Sequence, residues 1–98
     1  TDSGQAAGAA DGLYVTDTEG PERARVRRLF RAPIGAEVTG PALTPDGRTL
    51  FLAVQHPGAS AGSHFARPST RWPDFAEGVP PRPSIIAITR DDGGSVGG

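Results

Sequence analysis

An all-β chain of short antiparallel strands is what this sequence predicts. Three observations carry that reading. Runs rich in β-branched and aromatic residues recur at 12–17, 26–31, 37–44, 49–55 and 84–90. Each is bounded by Gly, Pro or Asp, the residues that stop strands and build turns. None is long enough, with a 3.6-residue apolar period, to read as an amphipathic helix.

In chain order, residues 1–11 are small and polar and read as a flexible lead-in; 12–98 form the structured region. Gly12-Leu13-Tyr14-Val15 opens the first strand, which Thr-Glu-Gly-Pro ends. The second strand, 26–31, alternates Val26, Arg28 and Phe30 with Arg27, Leu29 and Arg31, so its arginines place it toward solvent. The third, 37–44, holds Gly40-Pro41 at its centre. Proline cannot donate to a ladder, which makes this an edge strand. Pro45-Asp46-Gly47 is a tight turn into the fourth strand, 49–55. That strand is apolar on both faces: Leu50, Leu52 and Val54 on one, Phe51 and Ala53 on the other. Ser84-Ile85-Ile86-Ala87-Ile88 repeats the pattern. Such strands are covered above and below by neighbouring layers. Between them, the loop 57–83 carries six prolines and little periodicity. The end of the chain, Asp91-Asp92-Gly93-Gly94, is a turn, and Ser95-Val96 is expected to start one more strand.

An edge strand followed by middle strands apolar on both sides is the logic of a β-propeller blade. The innermost strand lines a channel and tolerates proline; the middle strands lie between adjacent blades. By this count the chain holds roughly one to one and a half four-stranded antiparallel blades. Closure takes about four to eight. The chain is a piece of a propeller.

Composition agrees. Gly and Pro make up about a quarter of the 98 residues and the apolar share is 36%. Ordering a chain of this size costs on the order of 150 kcal/mol of conformational entropy. So few apolar segments offset that poorly without a companion. Net charge is -1, with all ten basic residues arginine. No basic surplus marks a nucleic-acid surface. The cluster Arg23, Arg25, Arg27, Arg28, Arg31 alternates with apolar residues as a solvated strand face does. No stretch reaches the 18 apolar residues of a membrane span. Without cysteine, disulfides and thiolate metal sites are excluded within these residues. The first residues lack the charged and apolar regions of a signal peptide, so if the parent protein is exported its signal is expected upstream.

The run Glu37-Val38-Thr39-Gly40-Pro41, then Thr44-Pro45-Asp46-Gly47-Arg48-Thr49-Leu50-Phe51, then Gln55-His56-Pro57-Gly58 resembles the C-terminal region of PhoX-type alkaline phosphatases. Trp72-Pro73-Asp74, Arg82-Pro83-Ser84 and Thr89-Arg90-Asp91-Asp92-Gly93-Gly94 extend the resemblance to about residues 12–94. The resemblance implies a six-bladed propeller, exported by the twin-arginine route to the periplasm or beyond, that hydrolyses phosphate monoesters with calcium and iron. It implies as partners a phosphate-ester substrate and the remainder of the propeller. It also points to Glu37, at the mouth of an inner strand, as a metal-binding carboxylate. One departure is visible: the family loop continues from Gln-His-Pro-Gly into a glutamate, where this chain has Ala59.

The residues themselves set limits. Calcium takes 6–8 oxygen ligands, more than one glutamate supplies. The chain alone is therefore expected to be inactive. His56 is a second site candidate, set against a structural role bonding the loop beside Pro57. Thr39 is a third, set against a plain strand position. Asp46 reads as a turn residue and Trp72 as a packing anchor. Asp91-Asp92-Gly93-Gly94 lacks the spacing of a calcium loop. A non-catalytic propeller that binds a ligand or protein is the alternative, motivated by Ala59 and the incomplete donor set.

Overall fold

A computed structural model describes residues 11–97. The expected lead-in falls outside the described residues except for Asp11. Five strands are present: β1 (Gly12–Val15), β2 (Arg27–Arg31), β3 (Glu37–Leu43), β4 (Leu50–Gln55) and β5 (Ser84–Ile88). All pairings are antiparallel and no helix occurs among the described residues. The five runs from 12–17 to 84–90 each form a strand, shorter than the run by one or two residues.

β1 and β2 form a two-stranded ribbon, while β3, β4 and β5 form a three-stranded sheet in that order. β3 is thus an edge strand, as Pro41 requires. The ladder shifts between Thr39 and Ala42, so Gly40 and Pro41 together oppose Leu52 in a β-bulge. Gly40 meets this with a φ of +61°, which costs glycine little. At the other end of the hairpin, Asp46 Oδ1 accepts from the Thr44 hydroxyl at 2.7 Å and the Arg48 N–H at 3.0 Å. The turn is closed by its own side chains.

The sheet has two unlike faces. On one, Leu52 and Val54 are completely buried and Leu50 nearly so. Ala32 and Ala36 from the connection between β2 and β3 pack there, with Phe30, Val38, Trp72 and Ile86 around them. On the other, the register aligns Phe51 with Ala87 and Ala53 with Ile85. Ile85 is 78% exposed and Phe51 43%. The strands were expected to be covered on both sides, and the described residues cover one. The reason is supply: the β1–β2 ribbon and the Trp72 loop make one layer, and none remains for the second.

The segment from Pro57 to Pro83 has no strand, yet it is tied down. Trp72 anchors it on the core as expected. Arg82 grips Asp74 through two parallel hydrogen bonds of 2.9 and 3.1 Å, and its N–H donates to the Trp72 carbonyl at 3.3 Å. The strand expected at Ser95–Val96 is not formed. The Val96 N–H makes a single 2.9 Å bond to the Gly47 carbonyl, and glycines on both sides leave no run of β-formers to extend it. Asp91–Gly94 is a turn, with Asp92 paired to Arg90 at 2.7 Å.

Candidate functional site

Glu37 begins β3 and lies opposite Gln55, the last residue of β4. Alternation puts Glu37, Thr39, Ala53 and Gln55 on the sheet face that also carries Phe51 and Ile85. That face therefore has an apolar middle and a polar end. The Gln55 amide donates to the Thr39 hydroxyl at 2.8 Å, a diagonal contact across the ladder. Thr39 is thereby oriented by Gln55, a residue that entered the sequence reading only as part of the Gln-His-Pro-Gly run. The Asp11 carboxylate accepts from the Val38 N–H at 3.0 Å beside Glu37. Burial pushes the Asp11 carboxyl up, but the hydrogen bonds it accepts, among them from the N–H of Val38 and of Gly12, hold it below the usual carboxylate range.

His56 follows β4 directly, with a φ of +36°. Its Nδ1 lies 2.9 Å from the Gly35 carbonyl. A carbonyl can only accept, so Nδ1 carries the proton and Nε2 of the neutral ring is the acceptor. Nε2 lies 3.7 Å from Glu37 Oε2. The loop that places it is held on two sides. On one, the Gly58 N–H donates to the Ile34 carbonyl at 2.8 Å, and the chain at Ala59 presses against Gly35. On the other, the Ser69 hydroxyl donates to the Gly58 carbonyl at 3.2 Å and accepts from Ser60 at 2.7 Å. Nothing in the local sequence around Ser69 points to that role, because the contact spans eleven residues of irregular chain.

Glu37 and His56 thus meet at one end of the β3–β4 pair, and Thr39 lies two residues along the same face from Glu37. Asp46 sits at the opposite end in the turn, and Asp74 and Asp92 are engaged by Arg82 and Arg90. Ala59 is exposed, with its backbone against Gly35. The cleft lined by Val15, Arg27, Arg28, Leu29, Arg90 and Gly97 shares no residue with this group. Among the described residues no cluster of three or more His, Cys, Asp or Glu side chains could hold a metal by itself. What the arrangement offers is a carboxylate oxygen and an imidazole nitrogen at one point, flanked by a hydroxyl. That is fewer donors than a calcium shell requires.

Comparison with known proteins bears on the remainder. The family model described as alkaline phosphatase PhoX matches residues 1–58, which include all three candidates. Among solved structures, that of Pseudomonas fluorescens PhoX in complex with vanadate, a transition state analogue, is similar over 90% of this chain, with 38% sequence identity and a TM-score of 0.71. The match spans 13% of that chain. No curated protein matches this chain.

Proposed function

This chain belongs to the PhoX alkaline phosphatase family, and on that premise we propose that it is a propeller segment of an exported, metal-dependent phosphatase acting on phosphate monoesters. The observation that carries the reading is the approach of Glu37 and His56 at one end of the β3–β4 pair, with Thr39 on the same face, on residues inside the family match. Calcium and iron are the cations the motif resemblance implies. The donors fit a share of such a site: Glu37 offers oxygen to either metal, and His56 offers nitrogen, which suits iron better than calcium. Bound cations would neutralise the oxygens of a transferring phosphoryl group. Within this chain, Glu37 presents charge, Thr39 is turned by Gln55, and the clamped loop fixes the His56 ring. Substrate and the remaining ligands belong to the rest of the propeller.

The test is hydrolysis of a phosphate monoester by the full-length protein, with and without chelator, for wild type and Glu37→Gln. Chelator-sensitive activity that falls at least a hundredfold in the variant is the expected result. Activity indifferent to both removes the metal-dependent reading. The incomplete donor set and Ala59 favour a second reading, a non-catalytic propeller that binds a ligand at its channel. A folded full-length protein without activity under any metal condition selects it.

A further inference from the structure

We propose that the cleft between β2 and the segment after β5 binds a tetrahedral oxyanion, a phosphate or sulfate group, on Arg27, Arg28 and Arg90. The inference is independent of the phosphatase reading and concerns residues to which that reading gives no part.

The cleft, of about 270 Å³, is lined by those three arginines together with Val15, Leu29 and Gly97. Regular alternation would send Arg27 and Arg28 to opposite faces of the ribbon. The ladder with β1 shifts beside them: Tyr14 faces Arg28, Leu13 faces Phe30, and Leu29 is left without a partner on β1. A bulge of this kind bends its strand and re-aims side chains, and bulges are over-represented next to functional sites. Through it three consecutive residues of β2 come to border one hollow.

The facing wall is set by long-range contacts. Arg27 Nη2 donates at 3.1 Å to the carbonyl of Gly97, 70 residues further along the chain. The preceding residue is held as well, since the Val96 N–H donates to the Gly47 carbonyl at 2.9 Å. Arg90 is steadied by Asp92, to which its Nε and Nη2 donate at 3.0 and 2.7 Å. Asp92 in turn accepts from the Gly94 N–H at 2.8 Å. Two of the three guanidinium groups are therefore oriented before any ligand arrives, which lowers the ordering cost of binding.

Their charges are not fully balanced. Asp92 offsets Arg90, and Asp17 lies 3.6 Å from Arg27, with both of those side chains half exposed. The Arg28 guanidinium has no hydrogen-bond or ion-pair partner among the described residues. The hollow thus keeps a positive surplus at Arg28, between two arginines that are already placed.

Donor geometry selects the ligand. A guanidinium presents a planar fork that matches carboxylate and phosphate oxygens. One fork satisfies both oxygens of a carboxylate, whereas three arginines around one hollow suit the three or four oxygens of a tetrahedral centre. Val15 and Leu29 add an apolar border against which an organic body attached to the anion can rest.

Isothermal titration of inorganic phosphate, phenylphosphonate and acetate into the full-length protein provides the test, in wild type, Arg28→Ala and Arg31→Ala. Arg31 is exposed on the same strand and does not line the cleft, so its loss changes the net charge equally. Both variants remove exposed side chains, and their thermal midpoints should stay close to wild type. The proposal expects Arg28→Ala to bind phosphate about tenfold more weakly or worse, Arg31→Ala to stay within about twofold of wild type, and acetate to bind less tightly than phosphate. Comparing variants cancels any oxyanion held elsewhere in the protein. Phenylphosphonate binding tighter than phosphate supports an organic ligand and equal binding supports the free ion, provided that each depends on Arg28. Equal weakening in the two variants overturns the proposal, as does unchanged binding in Arg28→Ala. So does a wild type that binds neither phosphate nor phenylphosphonate at concentrations up to about 10 mM.

Discussion

Gly35 lies so close to Ala59 that a side chain at Gly35 would begin inside its neighbour's backbone. A Cβ there would stand 2.6 Å from the Ala59 nitrogen, and the Gly35 φ of +76° is itself unfavourable for any other residue. Through this contact the turn before β3 and the loop after β4 lock together, and the same turn supplies the carbonyl that holds the His56 ring.

Gly35→Ala is expected to destabilise the full-length protein by about 2–4 kcal/mol, from left-handed strain plus overpacking against main chain that cannot yield. Gly40→Ala is the control. Gly40 also has a positive φ, but nothing lies within 4 Å of its Cβ position, so it should cost about 1 kcal/mol. Chemical denaturation of both variants checks the difference. Equal losses would show that the contact with Ala59 adds nothing.

Truncations on the two faces of the sheet should behave differently. Leu52→Ala empties a completely buried position and is expected to cost about 3–5 kcal/mol. The 98-residue chain by itself should be indifferent to Ile85→Ala, since that side chain stands in solvent. If a neighbouring blade covers that face in the full-length protein, Ile85→Ala should cost about 2 kcal/mol or more there. Paired denaturation curves test both halves of this expectation.

The same bare face makes the separate chain prone to associate. Phe51 and Ile85 stand on neighbouring strands with small residues beside them. Binding of a fluorescent apolar dye and concentration-dependent sedimentation are expected for the isolated chain. Phe51→Asp should reduce both, while lowering the stability of the full-length protein by about 2–4 kcal/mol through a buried charge.

Acid should loosen the hairpin turn. Asp46 is held below the usual carboxylate range, chiefly by the Thr44 hydroxyl and then by the Arg48 N–H. A carboxyl whose folded value is depressed adds stability that is fully present above its unfolded value, about 3.9, and is lost as pH falls through the folded one. Asp46→Asn keeps the turn geometry and removes the charge. Wild type should therefore exceed the variant in stability at pH 6, with the gap closing below about pH 4. A gap independent of pH would mean that ionisation contributes nothing there.

Much of this architecture was legible because it is local. Pro41 marks an edge strand whatever surrounds it, and the structure accommodates it with a bulge opposite Leu52. The turn at Asp46 and the burial of Leu50, Leu52 and Val54 follow from turn chemistry and a period of two. The nearness of Glu37 and His56 follows from the register of one hairpin. What the sequence withheld is long-range and carried by small groups. Gly35 against Ala59, and Ser69 on the Gly58 carbonyl, join segments through backbone atoms that leave no compositional trace. The uncovered face agrees with a piece of a propeller: apolar residues declare that cover is needed, and not which polypeptide provides it.

The spacing of the three-stranded sheet also sets an order of events during synthesis. β3 and β4 are joined by a six-residue turn, and such hairpins close in about 1–10 μs. β5 lies beyond residues 56–83, so at a translation rate of about 5–20 residues per second it reaches the ribosome exit more than a second later. Through that interval β4 presents an unpaired edge as well as Phe51 to the surroundings. The Asp74–Arg82 clasp and the Trp72 anchor draw the intervening segment together from its middle. They shorten the search that β5 must make, so this irregular stretch serves the nascent chain as a guide rail as much as it serves the finished fold.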